Sequence, residues 1–278
     1  MSHFVVLVFG KDVDGQLAKY DEELQMDPYW VDEVTNVKDY WAYQKFVDEQ
    51  GMSPEATMEE LLATMKVAWG DDGSEYRIEN GVLQRQTTYN PDSKWDWYVT
   101  GGRWKDMLLL KDGSKADEAY NYDIDWVGMD LFKGAAAEEL IDKVLDAIRG
   151  LPMMESFAKV RERFDDSEEG VAKAREAYHG QPMMVALRES KVGMIWGDPV
   201  EIFCLDQPDP KAAYIKAAID STVGCYAVVK DGEWITQGRM GWWGMSSDDM
   251  SDAEWFAKVR KLIDDNPSEY LTIIDAHI

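Results

Sequence analysis

The chain has 278 residues, 45% hydrophobic and 30% charged, enough apolar material for one large domain or two small ones around a buried core. Lys and Arg number 29 against 54 Asp and Glu, and the formal charge of −25 disfavours direct contact with nucleic acid or an anionic membrane, since both are polyanions. Such a charge serves solubility, or suits a basic partner protein, including one whose own ligand is DNA. The only cysteines, Cys204 and Cys225, are too few for a disulfide framework or a cysteine-rich zinc site. No apolar run is long enough to span a bilayer, and the first residues lack the basic flank and cleavage site of a signal peptide. The expected setting is cytoplasmic.

"FVVLVF" at 4–9, closed by Gly10, reads as a buried strand. The acidic stretch 11–36 has no clear period. Ser53-Pro54 sets a cap before a proline, and Met58, Leu61, Leu62 and Met65 follow at helical spacing. Asn80-Gly81 between two strand-like arms predicts a hairpin. "MLLLKDGSK" predicts a strand entering a turn, and Leu140, Ile141, Val144, Leu145 and Ile148 mark an amphipathic helix. From 155 to 178 the chain is helical in character and highly charged, with a break at "DDSEEG". "PMMVAL" at 182–187 reads as a strand, Asp209-Pro210 opens a helix, and "CYAVVKDGEWI" turns at Asp231-Gly232. Ser251 to Glu254 is a capping box, and "LTIIDAHI" is a last strand.

Hairpins outnumber βαβ patterns, which predicts an α+β fold with a mainly antiparallel sheet and flanking helices. No Pro/Gly/Ser-rich linker separates two halves. Residues 1–278 therefore read as one domain, with 136–180 as a charged helical insertion.

Three constellations could carry chemistry. In "WDWYVTGGRW", an extended run puts Trp95 and Trp97 on one side and Tyr98 on the other, while Gly101 and Gly102 permit a turn or the close approach of a ligand. Arg103 offers a planar donor fork for phosphate or carboxylate beside Trp104. "GRMGWWGM" again sets Arg239, Trp242 and Trp243 among glycines, and the two segments are expected to border one cleft. The plainer alternative for both is an aromatic hairpin corner with Arg packed on Trp. The third constellation is Asp275 and His277 on one face of the last strand with His3 opening the first, an acid–base or metal candidate if the terminal strands are neighbours. No P-loop, dinucleotide fingerprint or kinase set accompanies these residues, so no cofactor is assigned.

"MSHFVVLV", "NPDSKWDWYVTGGRW", "DIDW", "GRMGWWGM" and "LTIIDAHI" together resemble a family of uncharacterised bacteriophage and prophage proteins. The resemblance runs from end to end, is poor in the middle, and implies a phage origin and a host-cytoplasmic setting. It brings no catalytic assignment. Members of that family often read Asp-Cys-His near the end, whereas this chain has Asp275-Ala276-His277, so no thiol is available at 276.

The leading expectation is a phage accessory protein, acting in counter-defence, that binds and sequesters a small planar anion such as a nucleotide-derived signal. Its pocket would use Trp97, Tyr98, Gly101, Gly102, Arg103, Trp104, Arg239, Trp242 and Trp243. The alternatives are a hydrolase of such a ligand working through His3, Asp275 and His277, and an acidic DNA mimic that inhibits a host protein.

Overall fold

The structure, a computed structural model, describes residues 3–35, 57–69, 75–190, 192, 197–240, 246–247 and 250–278. The strands of its first half are β1 (His3–Phe9), β2 (Tyr29–Val34), β3 (Tyr76–Glu79), β4 (Val82–Thr87), β5 (Trp97–Thr100), β6 (Leu108–Leu109), β7 (Lys115–Ala116) and β8 (Glu118–Tyr120). They continue with β9 (Ala227–Lys230), β10 (Glu233–Thr236), β11 (Arg239–Met240), β12 (Ser246–Ser247) and β13 (Tyr270–His277). The helices are α1 (Val13–Leu17), α2 (Met58–Trp69), α3 (Trp126–Ala147), α4 (Phe157–Arg161), α5 (Glu168–His179), α6 (Pro182–Glu189), α7 (Pro199–Ile202), α8 (Pro210–Asp220) and α9 (Asp252–Asp265). This is the expected α+β class.

Contacts gather the chain into two compact units, Met1–Gln16 with Tyr98–His277, and Leu17–Trp97 with the last residue. The sequence reading treats 1–278 as one domain with a helical insertion at 136–180. That stretch is helical and lies in the first unit, while 17–97 forms a unit whose strands pair among themselves in the order β2-β4-β3.

In the first unit the sheet runs β10-β9-β1-β13-β5, with β8 also on β13. β1 and β13 pair antiparallel from His3↔His277 to Phe9↔Leu271, so the two terminal strands are neighbours. The β1–β9 pair is parallel, and β9 turns into β10 through Asp231, held at φ 52°. Side chains alternate across a strand. One face therefore sends Val5, Leu7, Phe9, Leu271 and Ile273 into a core with Trp255, Val259 and Ile263 of α9. The other face buries Val6, Val8, Ile274 and Ala276 as well, which explains the unbroken apolar runs at both ends of the sequence. Each such aliphatic side chain contributes about 1.5–3 kcal/mol. α9 begins with the predicted capping box, and the Trp255 indole N–H donates to the Cys225 carbonyl at 2.8 Å.

The middle helices form a second core around Ile141, Val144, Val160, Tyr178, Met183 and Leu187. Here one expectation fails, because 182–187 is helix α6 and not a strand. Pro182 occupies its first turn, and Met183 and Leu187, four apart, are its buried pair. A short apolar run reads either way, and this one sits among helices.

In the second unit β3 and β4 form the predicted hairpin, with φ positive at Asn80 and Gly81. Leu61 and Leu83 are fully buried there. Buried Asn90 donates to the carbonyls of Lys19 and Asp21, and the Trp95 indole donates to the Leu17 carbonyl. Trp95 therefore anchors its own unit. It does not share an extended run with Trp97, where β5 begins.

Candidate functional site

The site is built from the glycine pair upward. Gly101 and Gly102 have φ of 70° and 52°, conformations that strongly favour glycine. Space excludes a side chain too. A Cβ on Gly101 would strike the Asp117 carboxyl, and one on Gly102 would lie 2.5 Å from Cβ and Oδ2 of Asp275. The Gly101 N–H donates to the Ile273 carbonyl at 2.9 Å, which seats the turn on β13. A single 3₁₀ turn over Gly102–Trp104 follows, with the Trp104 N–H donating to the Gly101 carbonyl.

Two carboxylates pin this loop. The Arg103 N–H donates to Oδ2 of Asp275 at 3.0 Å, and the Asp106 N–H donates to Oδ1 of Asp117 at 2.5 Å. The second Asp275 oxygen accepts from His3 Nδ1 at 2.8 Å. His3 and His277 meet edge to face with ring centroids 5.0 Å apart. Register explains the grouping, since His3↔His277 and Val5↔Asp275 put all three on the face that carries Leu7, Leu271 and Ile273 into the core. Asp275 is 2% exposed and His277 5%. A carboxyl so deeply placed is costly without hydrogen bonds, and this one has them from an imidazole and a main-chain amide. The first and third constellations of the sequence thus form one structure, joined at Asp275.

Of the remaining predicted residues, Tyr98 turns its hydroxyl to the Asp14 carboxylate, and burial together with that carboxylate raises its pKa. Trp97 is 43% exposed and falls in the Leu17–Trp97 unit. Arg103 is exposed, and Trp104 packs partly on the core. Arg239 lies in β11 opposite Ser247, while Trp242 and Trp243 lie outside the described residues, as does the expectation that the two glycine-rich segments share a cleft. Among the described residues, no group of three or more His, Cys, Asp or Glu side chains is arranged to hold a metal ion.

The far end of the pinned loop enters a cleft of about 510 Å³ lined by Trp104, Lys105, Asp106, Met107, Leu109, Lys115, Met129, Phe132, Lys133 and Thr222. Its walls are mostly apolar and aromatic, and three lysines reach it from three places: the loop, β7 and α3. Sequence reasoning found only Trp104 of this set. Lys105, Lys115 and Lys133 share no motif, and the fold alone brings them together. Among the described residues none of the three forms an ion pair, a state they share with Lys11, Lys19, Lys94, Lys111 and Lys258, whereas Lys143, Lys173, Lys211, Lys216, Lys230 and Lys261 are paired.

Among the described residues no helix is long and apolar enough to cross a membrane. Comparison of the chain with protein-family models, with curated proteins and with solved structures finds no match.

Proposed function

We propose that this protein binds a small planar anion in the cleft that begins at Trp104. The observation carrying this reading is the concentration of three lysines, in no ion pair among the described residues, around apolar and aromatic walls in a chain of net charge −25. Small-molecule sites combine such walls with a few well-placed polar groups in volumes of about 300–1,000 Å³. A ring stacked on Trp104 would gain roughly 1–3 kcal/mol, and lysine ammonium groups would add charge-assisted bonds to its anionic part. The distant carboxylates oppose this little, because salt confines their influence to about 10 Å. On this reading the loop is held stiff by Asp117 and Asp275 so that Trp104 and Lys105 are presented ready to bind. A phage accessory protein that sequesters a nucleotide-derived signal in the host cytoplasm would need such a site. Mass spectrometry of small molecules released on denaturing the purified protein tests the proposal. A planar anion at near one equivalent supports it, and a protein that yields none and takes up none when offered them refutes it.

A second reading, hydrolysis, draws on one observation, the 2.8 Å contact between His3 Nδ1 and buried Asp275 beside His277. A carboxylate on one ring nitrogen orients the imidazole, the arrangement in which a histidine serves as a general base. Turnover abolished by His277→Ala, with ligand binding intact, would favour it over simple sequestration.

A further inference from the structure

Resting on the binding reading above, we infer that the ligand is a dianion, a planar aromatic compound bearing one phosphomonoester. The cleft presents Lys105, Lys115 and Lys133 against a single carboxylate, Asp106, a lining charge of three positive against one negative. In a sequence with 54 acidic side chains against 29 basic ones, acid partners for lysine are abundant, and Lys143 of α3 and Lys211 of α8 have them. Three that form no such pair among the described residues, converging on one concavity, leave a local excess of two positive charges. Lys105, Lys115 and Lys133 are exposed, and a ligand seated over them would take their charge out of water, where it needs a counter-charge. A phosphomonoester carries about 1.5–2 negative charges at neutral pH, with oxygens for several donors. A lone carboxylate would leave the excess half neutralised. A triphosphate would exceed it and add its surplus to a strongly negative protein.

The rest of the lining describes what the phosphate is attached to. Trp104, Met107, Leu109, Met129 and Phe132 offer flat and polarisable surface to a ring system. Phe132 is 76% exposed, an unusual state for phenylalanine, on the α3 side of the cleft that also supplies Met129 and Lys133. A ring seated between the Trp104 loop and α3 would cover it. Lys115 on β7 and Lys105 on the loop add positive charge from two further elements of the lining. Lysine acts as a point charge and suits a tetrahedral phosphate from several directions, where a planar carboxylate would favour the fork of an arginine.

Calorimetric titration with two matched pairs, adenosine 5′-monophosphate against adenosine and flavin mononucleotide against riboflavin, tests this on the full chain. In at least one pair the phosphorylated member should bind about tenfold or more tighter than its partner, with the preference shrinking as salt rises. Combining Lys105→Ala, Lys115→Ala and Lys133→Ala should erase the preference, while Lys261→Ala, an exposed lysine paired with Asp265, should leave it unchanged. If ligand binds but in neither pair is the phosphorylated member the tighter, the dianion inference is overturned and the binding reading survives. If the preference persists in the triple variant, the lysines of this cleft are not its cause and the inference fails. If no member of either pair binds, both readings fall together.

Discussion

Replacing Gly102 by alanine should damage the protein far more than loss of glycine flexibility alone would predict. Two costs add. Alanine at φ 52° costs roughly 1–2 kcal/mol through its left-handed conformation. Its Cβ would also lie 2.5 Å from two atoms of Asp275, which is 2% exposed and has little room to retreat. If Asp275 is pushed aside, the Arg103 amide and His3 lose their acceptor, and each buried group left unsatisfied costs about 1–3 kcal/mol. The expected total is on the order of 3–5 kcal/mol, a large share of an ordinary domain's stability of about 5–15 kcal/mol. Gly113→Ala is the internal control, because its φ is 86° but nothing lies within 4 Å of the added carbon, so only the first cost applies. Urea unfolding of both variants, followed by fluorescence, reads the difference directly. Equal losses for the two would refute the claim that Asp275 is what requires glycine at 102.

Asp275→Asn should destabilise by about 1–3 kcal/mol, since an amide offers only one acceptor oxygen where the carboxylate accepts from both His3 and the Arg103 N–H; nitrogen NMR of the neutral wild-type ring should show the proton on Nδ1 of His3, and an Nε2–H tautomer would contradict the contact. Burial pushes the Cys225 thiol up to about 12, so at pH 8 native protein should label with a thiol reagent at Cys204 at most, and at both cysteines in denaturant. The same raised value means that Cys225 contributes full stability below the ordinary thiol range and loses it as pH rises from about 9 toward 12, which pH-dependent unfolding against Cys225→Ala would reveal. Leu187→Ala, in the segment that folds as α6, should cost about 2–5 kcal/mol with the far-ultraviolet helical signal retained, and a loss below 1 kcal/mol would remove it from the second core.

Features decided within a few residues were legible in the sequence. The hairpins at Asn80-Gly81 and Asp231-Gly232 follow from backbone preferences of the turn residues themselves, and the α9 start from the Ser251–Glu254 exchange of hydrogen bonds. The apolar runs at both ends announced buried strands, and their pairing brought His3, Asp275 and His277 together as anticipated. Where local signals were ambiguous, packing decided. "PMMVAL" carries enough apolar residues for either structure, and its neighbours in space are helices. The Gly101-Gly102 pair signalled a close approach, but what approaches is Asp117 and Asp275, the second of them 172 residues from Arg103, whose amide it binds. The cleft was the least legible feature. Lys105, Lys115 and Lys133 sit on three different structures, and nothing in the sequence marks them as lysines that line one cleft.

The central claim is that ligand binds at the Trp104 cleft, and the most direct test is to see where a bound probe sits. Titration with flavin mononucleotide or adenosine 5′-monophosphate, followed by NMR of the tryptophan indoles and methionine methyls, locates it. Saturable shifts are expected at the Trp104 indole and at the methyls of Met107 and Met129, with Trp255, sealed in the core, unmoved. Binding that leaves Trp104, Met107 and Met129 unperturbed, or no saturable shift at any of them, would contradict it.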